Sequence, residues 1–178
     1  MTRILLVGGG GREHALAWRL KRDDPSAALV AAPGNPGIAA HARCVSVPAT
    51  DVDALVALAI AERVDAVVVG PEGPLAAGLV DRLRAQRIAA FGPVAGAAML
   101  ETSKRFAKDV MRAAGVPTGQ ATSHTNAADA KRAAHALGAP VVIKASGLAA
   151  GKGVVVCETL EDADRTISKT TRAAAETE

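Results

Sequence analysis

Aromatic side chains are nearly absent from this sequence of 178 residues. It contains one tryptophan, Trp18, two phenylalanines, Phe91 and Phe106, and no tyrosine. The net charge of +3 is small and is not gathered into a basic run. Proteins that bind nucleic acid combine basic surfaces with aromatic stacking platforms, so we expect no nucleic-acid partner. A mild positive excess suits small anionic substrates better.

Cysteines and long apolar stretches are also scarce. The two cysteines, Cys44 and Cys157, are far apart and form no C-x-x-C pair. Both lie in or beside predicted strands, which predicts buried free thiols in a reducing compartment. No stretch is long enough to span a membrane, and Met1–Val7 leads directly into a strand, which leaves no room for a signal peptide. We therefore expect a cytoplasmic protein with no membrane partner.

The sequence is instead rich in aliphatic residues, arranged as alternating strands and helices. Hydrophobic residues make up 49% of the chain. Residues 1–102 begin with a strand over Arg3–Val7, a glycine turn and a helix. Further strands are predicted at Leu29–Ala32, Val45–Val47, Asp65–Val69 and Ile88–Phe91, with a helix capped by Thr50 and Asp53 and another over Leu75–Arg84. This alternation predicts an α/β fold with a doubly wound parallel sheet.

The first glycine turn, Gly8–Gly11, does not fit a dinucleotide fingerprint. In G-x-G-x-x-G the third glycine would fall at Glu13 or His14, and the second strand ends in Ala-Pro rather than in an acid. We therefore expect no nicotinamide cofactor. The helix N-terminus after the turn still suits a phosphate. The alternative is a tight turn that only packs helix on sheet, and His14 could contact a substrate or merely satisfy backbone groups.

Three glycine-containing loops follow predicted strands of this half. They are Gly8–Gly11, Ala32–Gly37 and Gly70–Pro74. The carboxyl ends of parallel strands meet at one edge of the sheet, so these loops are expected to converge on one crevice. Glu72 is the one acidic residue in these three loops. It is either a ligand contact or a helix N-terminal acid stabilised by the helix dipole.

Helices over Ala95–Leu100 and Ser103–Ala114 form a helical connection, of which residues 103–118 follow the first domain, residues 1–102. The organisation changes from about Val116. Residues 119–178 are predicted to form a small lobe whose end frays from about residue 170. Its elements are a weak strand at Gln120–Ser123, a helix over Asn126–Leu137, two strands within Val141–Val156 and a helix capped by Thr159 and Asp162.

A glycine-rich loop joins the two strands of Val141–Val156. Lys144 ends the first strand, and Lys152 lies in the loop with Gly147, Gly151 and Gly153. Glycines allow close approach of backbone N–H groups to an anion, and lysines add point charges for phosphate oxygens. The spacing is not that of a P-loop, because Lys152 is followed by Gly153 and a strand rather than by a helix. The pattern favours a cover over nucleotide phosphates, and a plain hairpin is the alternative.

Five motifs in order carry a family resemblance. They are VGGGGREHAL, APGNPG, VGPEGPLAAGLVD, FGPVAGAAMLETSKRFAKDVM and VVIKASGLAAGKGVVV, between Val7 and Val156. The last resembles the glycine loop of ATP-grasp ligases. The order of all five resembles the glycinamide ribonucleotide synthetase family, so the chain would be a pre-ATP-grasp domain followed by the small lobe of an incomplete ATP-grasp module.

The resemblance implies a reaction and a set of site residues. ATP would phosphorylate the glycine carboxylate, and the amine of 5-phosphoribosylamine would attack the glycyl phosphate. Catalysis would come from charge neutralisation by Lys144 and Lys152. The implied ATP contacts are Lys104, Lys144, Ser146, Gly147, Gly151, Lys152 and Gly153, and the implied phosphoribosyl contacts are Gly10, Gly11, Arg12, Glu13, Asn35 and Glu72.

The family would also need Mg²⁺ or Mn²⁺. No group of acidic residues here has the spacing of a metal site, so the metal ligands are expected outside this chain. The expected partners are ATP, glycine and 5-phosphoribosylamine, in a monomer or weak homo-oligomer. Two alternatives stay open: a catalytically incomplete fragment that binds a phosphoribosyl group or nucleotide, and an ATP-grasp relative of the carboxylase type.

Overall fold

The chain forms two compact units, Met1–Thr102 and Ser103–Glu178, called here the larger and the smaller unit. The computed structural model describes residues 1–145 and 153–175, with side chains described as far as residue 171. None of the described helices combines the length and apolar character needed to cross a membrane.

The larger unit contains a five-stranded parallel sheet with the order β3-β2-β1-β4-β5. Its strands are β1 (Arg3–Gly8), β2 (Ala28–Pro33), β3 (Arg43–Cys44), β4 (Ala66–Val69) and β5 (Ala89–Phe91). Its helices are α1 (Gly11–Asp23), α2 (Val52–Ala61), α3 (Glu72–Ala76), α4 (Leu79–Ala85) and α5 (Ala95–Thr102). The predicted α/β fold class is confirmed.

The sheet is covered on both faces because successive side chains of a strand point to opposite sides. On β1, Leu5 and Val7 join one core cluster, to which α2 contributes Leu55 and α4 contributes Leu83. Leu6 joins a separate cluster with Ala17 of α1, Ala31 and Ile38. Each side of β1 therefore has its own helical cover, which is the doubly wound arrangement.

Four local predictions for the larger unit are wrong. The third strand is Arg43–Cys44 rather than Val45–Val47, and Cys44 is exposed rather than buried. The side chain that caps α2 belongs to Asp51, whose Oδ1 accepts from Ala54 N at 2.9 Å, so Thr50 is not the cap.

The fourth wrong prediction is the single helix over Leu75–Arg84, because the structure has two helices there, α3 and α4. Gly78 lies between α3 and α4 with φ of +82°, a left-handed conformation that ends the first helix and that side chains other than glycine rarely adopt.

The smaller unit consists of α6 (Lys104–Ala113), α7 (Ala127–Leu137), the antiparallel strands β6 (Val141–Lys144) and β7 (Val154–Cys157), and α8 (Leu160–Ala175). Two predicted caps are confirmed: Ser103 Oγ accepts from Phe106 N at 3.2 Å, and Thr159 Oγ1 accepts from Asp162 N at 3.1 Å. The predicted strand at Gln120–Ser123 is wrong, because those residues have no regular structure and are exposed. An isolated strand has no ladder partner to satisfy its backbone, so propensity alone does not form one.

The core of the smaller unit is thin. Its fully buried apolar residues in the described part of the chain are Ala134, Cys157, Ala163 and Ile167. Val141 and Ile143 of β6 pack against them from the inner face of the hairpin. The outer face of the hairpin has no such cover within the described residues, and Val142, Val154 and Val156 are exposed there.

Candidate functional site

The candidate site of the larger unit lies where the strand order reverses. β1 is the first strand in the chain, and its neighbours are β2 on one side and β4 on the other. The connections from β1 and β4 therefore leave the sheet in opposite directions, which opens a crevice at their carboxyl ends. The loops after β1 and β4 carry Gly8–Gly11 and Gly70–Gly73, so both lie at the carboxyl ends of these neighbouring strands.

The loop after β2 lies against the first glycine turn. Gly34 N donates to Gly8 O at 3.1 Å. A Cβ added to Gly9 would lie 2.6 Å from the carbonyl oxygen of Gly34, so the two backbones approach too closely for a side chain. Asn35 strengthens the contact: its Nδ2 donates to Gly9 O at 2.9 Å, and its Oδ1 accepts from Ile38 N at 2.8 Å. The predicted convergence of the loops is thus present for this pair.

The helix α1 begins at this turn with a glycine at its N-cap. Gly10 has no side chain with which to accept from the first-turn N–H groups, so the N–H groups of Gly11 and Arg12 receive no cap from it. Both residues are exposed. The helix start therefore presents backbone donors and the positive end of the helix dipole at the crevice.

Arg12 connects this helix start to the loop after β4. Its Nη1 donates to Gly70 O at 2.6 Å, and the side chain stays exposed. The guanidinium thus adds a fixed positive charge beside the helix N-terminus. Glu72 lies in the same loop region as the first residue of α3, and it is exposed.

Glu13 differs from the other predicted contacts because it is buried. Its exposed fraction is 5%, and its Oε2 accepts from Gly10 N at 2.6 Å. The carboxylate therefore satisfies the backbone of the glycine turn from inside the protein.

The sequence analysis left the role of His14 open, gave Gly37 only as the end of the Ala32–Gly37 loop and did not name His41. The ring of His14 lies 5.7 Å from that of His41 between centroids. A Cβ on Gly37 would lie 2.6 Å from Cε1 of His14, so the ring packs on that glycine. The signal in the sequence was the glycine itself, since a tight approach needs a residue without a side chain.

In the smaller unit the structure places Lys144 on the outer face of the hairpin. Lys144 pairs with Val154 and Val142 with Val156, so these residues share one face, and Lys144 is exposed. Ala145 N donates to Gly153 O at 2.7 Å, which continues the ladder to the start of the loop. Ser146, Gly147, Gly151 and Lys152 lie outside the described residues. The charge of an exposed lysine can bind a phosphate group, and the apolar surface beside it can contact an apolar ring of the same ligand.

Lys104 belongs to the smaller unit as the first residue of α6, after the Ser103 cap, and is half-buried. The described residues contain no group of three or more histidine, cysteine or acidic side chains that could hold a metal ion.

Residues 2–101 match the sequence model of the phosphoribosylglycinamide synthetase N domain, and residues 102–176 match that of the phosphoribosylglycinamide synthetase ATP-grasp (A) domain. Among curated relatives, phosphoribosylamine–glycine ligase of Ralstonia nicotianae is 52% identical over 161 residues, which are 90% of this chain and 38% of the relative. The enzyme of Agrobacterium fabrum is 53% identical over 161 residues, again 90% of this chain and 38% of the relative. The chain thus spans 38% of the length of these relatives.

Solved structures agree in fold. Phosphoribosylamine–glycine ligase from Thermotoga maritima superposes with a TM-score of 0.73 at 28% identity, covering 96% of this chain and 39% of that one. A biotin carboxylase from Campylobacter jejuni superposes with a TM-score of 0.74 at 21% identity, covering 98% and 42%, which shows a shared fold alone. Both family models and the identity to named ligases lead to one conclusion: the chain belongs to the phosphoribosylglycinamide synthetase family of ATP-dependent ligases, the enzymes named phosphoribosylamine–glycine ligase.

Proposed function

We propose that this chain supplies the phosphoribosyl-binding unit and part of the nucleotide-binding unit of a phosphoribosylamine–glycine ligase. The reaction joins glycine to 5-phosphoribosylamine at the expense of ATP and yields glycinamide ribonucleotide for purine synthesis. Family membership over nearly the whole chain supports this function. Because the chain spans 38% of its relatives' length, the activity of a complete ligase is part of the proposal.

The observation that carries the proposal is the uncapped start of α1 at the strand-order reversal. The N–H groups of Gly11 and Arg12 would bind the 5-phosphate, with Gly10 allowing its close approach. Arg12 would add charge to this contact from the position that its bond to Gly70 O fixes. Glu72, exposed at the start of α3, would accept from the ribose hydroxyls. Asn35 would act mainly by holding the β2 loop against the turn, because both of its polar atoms bond to backbone.

The outer face of the hairpin supports the nucleotide part. Lys144 would bind ATP phosphates together with Lys152, the loop glycines Gly147, Gly151 and Gly153, Ser146 and Lys104 of α6. The exposed Val142, Val154 and Val156 on the same face would give the base an apolar surface.

The chemistry would need no protein nucleophile. Phosphate transfer to the glycine carboxylate and attack by the amine would be promoted by positioning and by neutralisation of charge at Lys144 and Lys152. Mg²⁺ or Mn²⁺ would assist, but the described residues offer no group of side chains that fits a metal ion. Two free cysteines support a location in the reducing cytoplasm. We further propose a monomer or a weak homo-oligomer.

Binding of ribose 5-phosphate, a stable mimic of the substrate, tests the phosphoribosyl site. We expect saturable binding of ribose 5-phosphate by calorimetry and at least about tenfold weaker binding of ribose, because charge-assisted hydrogen bonds to phosphate are lost. Arg12→Ala should weaken the binding of ribose 5-phosphate, whereas Arg22→Ala, on the same helix, should not. Equal affinity for ribose and ribose 5-phosphate would contradict a phosphate site.

Substitutions in the smaller unit of the 178-residue chain test nucleotide binding. Lys144→Met should weaken binding of an ATP analogue by about tenfold or more, since one charged contact is lost. Lys169→Met removes an exposed lysine from α8 and is the matched control. Equal effects of both substitutions would show that Lys144 contributes only general charge.

Turnover decides between the full function and the incomplete fragment. The chain is incubated with Mg-ATP, glycine and 5-phosphoribosylamine generated in place, and ADP is followed. Glycine-dependent ADP would show that the chain is catalytic alone. Binding of ribose 5-phosphate without ADP would show that the chemistry needs the segment that the longer relatives possess. ADP triggered by bicarbonate instead of glycine would favour the carboxylase alternative.

A further inference from the structure

The unexplained feature of the larger unit is a buried charge beside the proposed phosphate site. Among the residues that the structure describes, Glu13 is the only charged side chain that is buried, with 5% exposed. Burial of a carboxylate is costly unless hydrogen bonds compensate for it. One such bond is present, from Gly10 N to Oε2 at 2.6 Å.

Three glycines pack around this side chain from two different loops. A Cβ added to Gly8 would lie 2.7 Å from Cγ of Glu13, and one added to Gly10 would lie 2.8 Å from Oε2. A Cβ added to Gly70 would overlap Oε1, Cδ and Cγ together. Gly8 and Gly10 belong to the turn after β1, whereas Gly70 follows β4, 57 residues after Glu13. The carboxyl group of Glu13 therefore fills the space between the two loops that border the crevice.

Arg12 also links α1 to the loop after β4, from the exposed side of this contact. Its Nη1 donates to the carbonyl oxygen of Gly70, while its neighbour Glu13 fills the space where a Gly70 side chain would lie. Gly70 is thus held by two consecutive residues of α1. The spacing of the two loops consequently depends on the first turn of the helix that would bind the phosphate.

We propose that Glu13 is a positioning residue that sets the distance between the glycine turn after β1 and the loop after β4, and does not itself contact the ligand. This inference rests on the proposed phosphoribosyl site. It replaces the ligand contact that the family resemblance implied for Glu13 with an action through the backbones of Gly10 and Gly70. The shape and the acceptor atom of the side chain matter for this role, and the negative charge does not.

The test compares two substitutions of Glu13 in the 178-residue chain, with ribose 5-phosphate as the probe. Glu13→Gln keeps the length and one acceptor for Gly10 N, and it should bind within about threefold of wild type. Glu13→Ala removes both and should weaken binding by at least about tenfold. Equal losses for Gln and Ala would overturn the inference, because the charge itself would then contact the ligand. Wild-type affinity of Glu13→Ala would overturn it too.

Gly70→Ala provides an independent test, because its clash is with Glu13. In the wild-type background we expect Gly70→Ala to weaken binding by at least about tenfold, and in the Glu13→Ala background by less than about twofold. Gly96→Ala in α5, where an added Cβ meets nothing within 4 Å, is the matched control and should leave affinity unchanged. Additive losses of Glu13→Ala and Gly70→Ala would contradict an action through this contact.

Amide hydrogen exchange separates the inference from the proposed function. The Gly10 amide should be protected in wild type and in Glu13→Gln and unprotected in Glu13→Ala, whether or not a ligand binds. If no chain binds ribose 5-phosphate but this pattern is found, the proposed site fails and the positioning contact stands. If the Gly10 amide is unprotected in folded wild type, the positioning contact itself is wrong.

Discussion

The two units differ in how much of their own apolar surface they bury. The larger unit covers both faces of its sheet, and β1 places Leu5, Leu6 and Val7 in clusters on either side. The smaller unit covers one face of its hairpin, and Val156 on the other face is 62% exposed. In a parallel sheet that is covered on both faces, only the strand ends stay accessible to a ligand. In a hairpin that is covered on one face, the whole opposite face stays accessible. The two proposed sites follow this difference: one is built from backbone at strand ends, the other from side chains on a sheet face.

The largest expected effect comes from the core of the larger unit. Leu55→Ala removes a fully buried side chain from α2 and should lower the free energy of unfolding by about 2–5 kcal/mol, through lost apolar burial and the cavity left behind. Ile60→Ala, on the same helix at 51% exposure, should cost less than about 1 kcal/mol. Urea unfolding measures both, and equal costs would contradict the described packing of α2.

Ile167→Ala is the corresponding change in the smaller unit. We expect a loss of about 2 kcal/mol, since a cluster with few buried members relaxes around the gap more easily. Amide exchange should accelerate across β6, β7 and α8 and stay unchanged in β1 and β4. Val156→Ala on the outer face is the control and should change little. Acceleration of exchange in β1 as well would show that the two units unfold as one.

Gly9→Ala tests the backbone contact at the candidate site. The added Cβ would meet Gly34 O at 2.6 Å, so the turn and the β2 loop must separate, at a stability cost of about 1–3 kcal/mol. Binding of ribose 5-phosphate should weaken by more than the stability loss alone would cause. Gly119→Ala, where an added Cβ meets nothing within 4 Å, should leave both quantities unchanged. Unchanged binding in Gly9→Ala would show that the β2 loop does not shape the site.

The smallest expected effect is a difference in acid sensitivity. The hydrogen bonds from Arg165 and then Thr159 hold the pKa of Asp162 below its ordinary value of 3.8, and Asn126 and then Arg132 do the same for the pKa of Asp129. In the larger unit Ser26 lowers the pKa of Asp24. A carboxylate whose pKa is lowered by folding adds stability above its unfolded pKa, and that contribution is lost as the pH falls through the folded value.

The smaller unit, with two such groups at helix starts, should therefore lose more of its stability than the larger unit on acidification below about pH 4. Thermal unfolding followed by amide signals of each unit measures this. Asp162→Asn should reduce the acid sensitivity of α8. Asp65→Asn in the larger unit is the control, and it should leave the acid sensitivity of α8 unchanged. A smaller unit that is no more acid-sensitive than the larger one would contradict the prediction.

The sequence predicted the alternation of strands and helices well because burial imposes its period locally. Ser103 and Thr159 were identifiable as caps from a few neighbouring residues. Gly78 was not identified as a helix break, because a glycine within an apolar helical pattern carries no sign of its φ. The prediction of a strand at Gln120–Ser123 was wrong for a different reason. A strand requires a neighbouring strand to pair with, and the local sequence does not specify one.

At the candidate site, the sequence located the loops but not the contacts between them. The family resemblance implied a ligand contact for Glu13, and the burial of this residue was not anticipated, because charged residues are seldom buried. Its position three residues after Gly10 was a capping-box signal that predicts contact with backbone, and the structure shows that contact. Gly70 on the far side of Glu13 could not be inferred, because only the order of β1 and β4 in the sheet brings them together. The sequence predicted Lys144 at the end of a strand, and the pairing of β6 with β7 places it on the exposed outer face.

The central position of β1 has a consequence for how the chain folds during synthesis. β1 is synthesised before β4, and the pairing of the two strands includes a bond from Asp65 N to Arg3 O at 2.8 Å, across 62 residues. Such long-range pairs form slowly, because the intervening chain must first be closed into a loop. A nascent chain that ends before β4 carries the glycine turn and Glu13 without Gly70 beside them. The proposed phosphate site is therefore complete only after β4 has paired with β1.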